Sequence, residues 1–202
     1  MTPQNMFEIN ISVDVEPAFL QRIWTYTAAV DTEVSGLFEI EWNEEKTRIV
    51  VPDKLHMFKQ RGSGGGTHLN MTDVSDWVLE LAENGETTGK THGWYHTHVG
   101  MPVFFSQTDE DTIDELSSFL GDQFVAVVTN NLGESRWRGL VAGKTVEWTA
   151  PLSHTRPSER ELKDAKIMLE GLIKQDPSFG KFFRRSKWST KRDWSDFYRR
   201  DF

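Results

Sequence analysis

The chain has 202 residues, enough for one domain with a real core and a modest extension, and its 37% hydrophobic and 27% charged content is that of a soluble globular protein. It holds no cysteine, which excludes disulfides, thiolate zinc sites and cysteine nucleophiles and leaves any metal to His, Asp or Glu. No apolar run nears the roughly 20 residues that cross a bilayer, the segment Met1 to Asn10 lacks the form of a secretory signal, and a net charge of −8 disfavours general binding to nucleic acid; a cytoplasmic protein is expected.

Pro17 to Val30 is predicted to be a first helix. Proline suits a first turn, and Phe19, Leu20, Ile23 and Trp24 recur at helical spacing. Val34 to Trp42 is expected as a strand, and Lys46 to Val51 and Lys54 to Gln60 as two more, separated by Pro52-Asp53. Arg61 to Thr67 contains Gly-Ser-Gly-Gly-Gly and is expected as a flexible loop. It lacks the Lys-Ser/Thr of a phosphate-binding loop. Thr72 is a candidate N-cap for a helix to about Glu83, with Val74, Trp77, Val78 and Leu81 on one face. Thr91 to His98 reads as a strand, followed by a loop with Gly100 and Pro102 and a helix from about Gln107 to Leu120. Strands over Gln123–Thr129, Ser135–Ala142 and Thr145–Thr149 follow. Pro157 opens a last amphipathic helix to about Lys174, striped by Leu162, Ala165, Leu169 and Leu172. The order predicts an α/β domain with a mixed central sheet flanked by helices, over residues 1–152, and a C-terminal helical extension with a tail over 153–202.

The tail, residues 181–202, carries 8 basic and 3 acidic side chains, a net of +5. The total of −8 therefore leaves −13 on residues 1–180. Phe182, Phe183, Trp188, Trp194, Phe197, Tyr198 and Phe202 lie among the basic residues. Such a segment can dock on the chain's own acidic body or on a protein partner, can bind single-stranded nucleic acid, or can stay disordered.

The segment with most chemical content is Gly93-Trp94-Tyr95-His96-Thr97-His98, then seven residues, Ser106, two residues, and Asp109. In an extended chain residues i and i+2 share a face, so His96 and His98 can aim at one point. Asp109 falls in the first turn of the following helix. Two imidazoles and a carboxylate leave a fourth tetrahedral position for water, the layout of a catalytic zinc site. Ser106 and Asp109 also fit a capping box with Asp in place of Glu or Gln. The two readings are compatible. His92 shares the face of His96 and suits a supporting or surface role; His56, His68 and His154 lie outside the motif.

The pattern H-x-H-x7-S-x2-D resembles the signature of JAMM (MPN+) zinc metalloproteases. Asp31-Thr32-Glu33-Val34-Ser35-Gly36-Leu37-Phe38 matches the E-x-x-G-L context of that family's upstream glutamate. Thr97 stands where the family usually has Ser, and Val99 where many members have Pro. The resemblance covers roughly residues 15–150 and leaves out the C-terminal extension.

The resemblance implies a JAB/MPN-like, cytidine-deaminase-like fold. It implies zinc (Zn2+) held by His96, His98 and Asp109. It implies that Glu33 takes a proton from the attacking water and passes it to the leaving amine, and that Ser106 donates to the developing oxyanion. The activity implied is hydrolysis of an amide or isopeptide bond in a protein substrate, with the Gly-Gly end of a ubiquitin-like protein as one candidate. A non-catalytic scaffold of the same fold and a tail-mediated nucleic-acid module are the alternatives. Scaffold members typically lose ligands, whereas this chain keeps all five motif residues.

Overall fold

The computed structural model describes residues 12–175, apart from 46, 64, 86–89, 122, 142–143 and 153–154. The tail 181–202, the first ten residues and His154 lie outside the described residues. The order is β1 (Ser12–Val15), α1 (Pro17–Ala29), β2 (Ser35–Trp42), β3 (Arg48–Val51), β4 (Leu55–Met57), β5 (Gln60–Ser63), β6 (Gly66–Leu69), α2 (Met71–Glu83), β7 (Lys90–Thr97), α3 (Gln107–Leu120), β8 (Phe124–Thr129), β9 (Glu134–Val141), β10 (Lys144–Pro151), α4 (Glu159–Leu172) and β11 (Ile173–Gln175).

The main sheet runs β1-β3-β2-β7-β8-β9-β10, with β4 also paired to β2. β7 and β8 are parallel, and α3 is their crossover; β2 and β7 are antiparallel. The sheet is therefore mixed and carries helices on both faces.

Side-chain parity decides which face does what. On β7, Tyr95 points into a core with Phe19 and Ile23 of α1, Phe38, Val125, Val127 and Trp137. Its neighbour Trp94 points the other way, among Val74 of α2, Ile113 and Leu116 of α3, Leu37 and Ala126. Residues two and four beyond Trp94 share its face. His96 and His98 are thereby turned toward α3, and not toward α1. Every residue of β8 is buried, as is β2 from Ser35 to Ile40, as expected of central strands covered on both sides. Gly93 is required by this packing: a Cβ there would press into the Phe38 ring and the Val125 carbonyl.

A smaller sheet, β11-β5-β6, lies beside the first. Here the sequence reading needs correction. Arg61 to Thr67 is not a plain loop: β5 and β6 form an antiparallel hairpin, and β11 adds to it in parallel. The glycines mask the strand signal locally, and tertiary contacts supply what propensity lacks. Gln60, buried, donates through Nε2 to the carbonyls of Ser35 (2.9 Å) and Phe58 (3.0 Å). Its Oε1 accepts from the Ser35 amide (2.8 Å) and the Thr67 hydroxyl (2.9 Å).

The remaining differences are at ends. Asn70, not Thr72, caps α2, its side chain accepting from the Thr72 amide at 3.1 Å. Ser158 caps α4 through a capping box with Glu161, so Pro157 precedes the cap instead of opening the helix. Helix α4 ends at Leu172, and Ile173 to Gln175 form β11. Its buried residues are Ala165 and Leu169. The strand expected over Lys54–Gln60 is broken between β4 and β5. β1, four residues with alternating exposure at the sheet's edge, had too short a pattern to predict.

Candidate metal centre

The centre forms where β7 ends and α3 begins. His96 lies in β7, opposite Ser35 of β2 and Val128 of β8. His98 is one residue past the strand, held by its amide donating to the Thr129 carbonyl at 2.7 Å. Ser106 caps α3: its Oγ accepts from the Asp109 amide (3.3 Å), and its own amide donates to Asp109 Oδ2 (2.7 Å). This capping box fixes the carboxylate in the first helical turn, facing back to the strand end.

The result is convergence of three buried donors. His96 Nε2 lies 3.3 Å from Asp109 Oδ1, and His98 Nε2 lies 3.4 Å from Asp109 Oδ2. The two Nε2 atoms are 3.3 Å apart. One ligand atom from each residue lies within 4.8 Å of the others, so the group can hold a metal ion. The donor chemistry fits a cation. His98 Nδ1 faces the Pro102 carbonyl at 3.1 Å. A carbonyl only accepts, so Nδ1 carries the proton and Nε2 turns its lone pair to the centre. His96 is stacked on Trp94, with centroids 4.1 Å apart and planes at 11°. Its Nδ1 is buried without a hydrogen-bond partner among the described residues.

Electrostatics follow from burial and proximity. Burial pushes His96 below the usual imidazole range, against the pull of Asp109. Burial also works against protonated His98, but Asp109, the Pro102 carbonyl and Glu33 outweigh it and raise its pKa. Burial opposes ionised Asp109, yet the two histidines and Ser106 hold it well below the usual carboxylate range. An anionic carboxylate beside two imidazoles is the form a cation needs.

Glu33 lies just before β2. Continuing the β2–β7 register from Ser35 and His96 sets it opposite His98. The Val34 amide donates to Thr97 Oγ1 (2.9 Å), and the Thr97 amide donates back to the Val34 carbonyl (3.0 Å). The Glu33 amide donates to the Ser63 carbonyl in the hairpin (2.7 Å). Glu33 is 4% exposed. Burial pushes its pKa up to about 7, with His98 opposing and Asp109 reinforcing the rise.

The structure thus brings Glu33, His96, His98, Ser106 and Asp109 to one place. It keeps the other described histidines elsewhere. His92 is buried edge-on to Trp77 (4.9 Å), and His56 sits 4.5 Å from the same ring. His68 is exposed on β6. The loop 99–105 flanks the centre: the Phe104 ring lies 4.9 Å from that of His98 and is 39% exposed, and the Phe105 ring lies 6.1 Å from that of His96. The Asn131 amide donates to the Val99 carbonyl (3.1 Å), and Asn130 Nδ2 to the Met101 carbonyl (3.1 Å), bracing that loop without the proline.

Sequence reasoning missed Trp94 and Gln60 as supports of the site. The i, i+2 relation of Trp94 to His96 was a usable signal. No known family's sequence profile matches the chain, and no curated protein matches it.

Proposed function

We propose that the protein is a zinc-dependent hydrolase of amide bonds, an isopeptidase of JAMM type. The substrate is an extended protein tail, with the Gly-Gly end of a ubiquitin-like protein as the preferred class. One observation carries the reading. A buried carboxylate, Glu33, from one end of the fold stands in the field of His98 and Asp109, while His96, His98 and Asp109 converge within 4.8 Å. Two imidazoles and one carboxylate on a compact centre suit zinc. Zinc, when bound, supplies Lewis acidity toward a carbonyl oxygen and toward water.

The chain's own residues supply the rest. The Glu33 carboxylate, buried beside His98 and Asp109, would take a proton from the attacking water and return it to the leaving nitrogen as the C–N bond breaks. Ser106 Oγ accepts from the Asp109 amide, and its hydroxyl hydrogen, which serves the Asp109 carboxylate, would turn outward to a developing oxyanion. Phe104 and Phe105 wall the centre on one side and narrow the approach.

The test is metal analysis of protein purified without chelator, together with cleavage of Gly-Gly-linked amide substrates. The wild type should carry about one zinc per chain, and His96→Ala with His98→Ala should carry none. Glu33→Ala should keep the zinc and lose about 10²–10⁴-fold in turnover. Absence of metal from the wild type, loss of metal in Glu33→Ala, or full turnover by that variant would each overturn the proposal.

A further inference from the structure

Asp109 and Ser106 can serve the centre only if the first turn of α3 is held at the right distance from β7. Helix α3 is mostly exposed and polar; among its buried residues only Ile113 and Leu116 are apolar. The capping box fixes Ser106 and Asp109 relative to each other, but not relative to the sheet. Something must tie this turn to a strand.

Arg138 of β9 is placed to do so. It lies in the main sheet, opposite Ala126 of β8 and Glu147 of β10. Its side chain is 15% exposed. Its Nη1 is ion-paired with Glu110, the residue after Asp109. Its guanidinium lies over the ring of Phe105, the residue before Ser106, at 4.5 Å from the centroid. Its Nε donates to Glu147 Oε1 at 2.7 Å, while Arg136 Nη2 donates to Glu147 Oε2 at 2.6 Å. One planar cation therefore grips the residues on both sides of the Ser106–Asp109 segment and is itself braced from the neighbouring strand. Phe105 in turn abuts His96 at 6.1 Å.

We propose that Arg138 is the positioning residue of the metal centre, setting Asp109 and Ser106 against His96 and His98 through Glu110 and Phe105. Exposed ion pairs contribute little to stability; a mostly buried guanidinium with three partners, two of them flanking the ligand segment, is better suited to fixing geometry. Arginine is needed because its plane stacks on the ring while its edge pairs with carboxylates; a lysine ammonium does one or the other. The inference rests on the reading of His96, His98 and Asp109 as a metal centre.

The test titrates Co2+ into the metal-free full-length protein and records the visible d–d absorption alongside thermal unfolding. Arg138→Met keeps much of the stem and removes both grips. It should weaken Co2+ binding by about 10–100-fold, the usual effect of losing a support of a ligand, and alter the absorption band. Arg138→Lys should recover part of the affinity. Glu110→Gln, at a half-exposed carboxylate, removes one grip with little risk to folding and should give a smaller loss of the same kind. If Glu110→Gln and whichever Arg138 variants fold bind Co2+ with wild-type affinity and spectrum, the positioning role is overturned while the metal centre stands. A wild type that binds no Co2+ overturns both.

Discussion

Glu33 makes the fold's stability depend on pH in a way that can be measured without any substrate. An ordinary glutamate titrates near 4.5; buried Glu33 titrates near 7. The folded metal-free protein therefore binds a proton more tightly than the unfolded chain does. Stability is fully present below about pH 4.5 and is lost as pH rises through about 7, where the folded state must carry a desolvated anion. The shift corresponds to about 3 kcal/mol. Its cause is burial: Glu33 is 4% exposed, and its desolvation outweighs the lowering by His98, which is itself larger than the repulsion from Asp109. Glu33→Gln removes the titration while keeping the side chain's size. The assay is urea unfolding of chelator-treated wild type and variant from pH 5 to 8.5. The stability difference, variant minus wild type, should grow by up to about 3 kcal/mol from the acid to the alkaline end. Comparing the two proteins subtracts the titration of His96, which Glu33 does not perturb; that of His98 differs between them, because Glu33 helps to raise its pKa. Parallel stability curves would refute the claim that burial at this position holds the carboxylate near neutrality.

Two further outcomes are expected. Gly93→Ala should destabilise by about 3 kcal/mol or more, since both the Phe38 ring and the Val125 backbone would have to move; thermal unfolding checks this at roughly 2–4 °C per kcal/mol, and an unchanged midpoint contradicts the packing of β7 on β8. If the walls of Phe104 and Phe105 admit only a thin substrate, bulky residues in place of the glycines before the scissile bond should lower kcat/KM by about tenfold, roughly 1.4 kcal/mol of transition-state binding. Equal cleavage of both substrates would remove the narrow-cleft argument and leave the metal chemistry intact.

The sequence by itself determined the local structure and the identity of the donors. Helix α3 begins and ends where its pattern predicts, because Ser106 and Asp109 satisfy the free amides of the first turn and Gly121 closes the last. The i, i+2 spacing of His96 and His98 guaranteed a shared face once β7 formed. What the sequence could not determine is which face, and what waits there. That followed from Tyr95 being claimed by the α1 core, which turned the histidines toward α3. The hairpin β5–β6 was hidden because its glycines have no strand preference; buried Gln60, reaching across to Ser35, holds it there. Glu33 reads locally as an ordinary glutamate before a strand. Only the pairing of β2 with β7, and the hairpin closing over its backbone, take it out of water and give it a pKa of about 7. Arg138 is one arginine among many in the sequence. Its meaning comes from β9 lying beside β8, which sets it under Phe105 and Glu110. Short-range patterns fix elements because their energetics are local, whereas desolvation and long-range pairing depend on which distant segments the folded chain brings together.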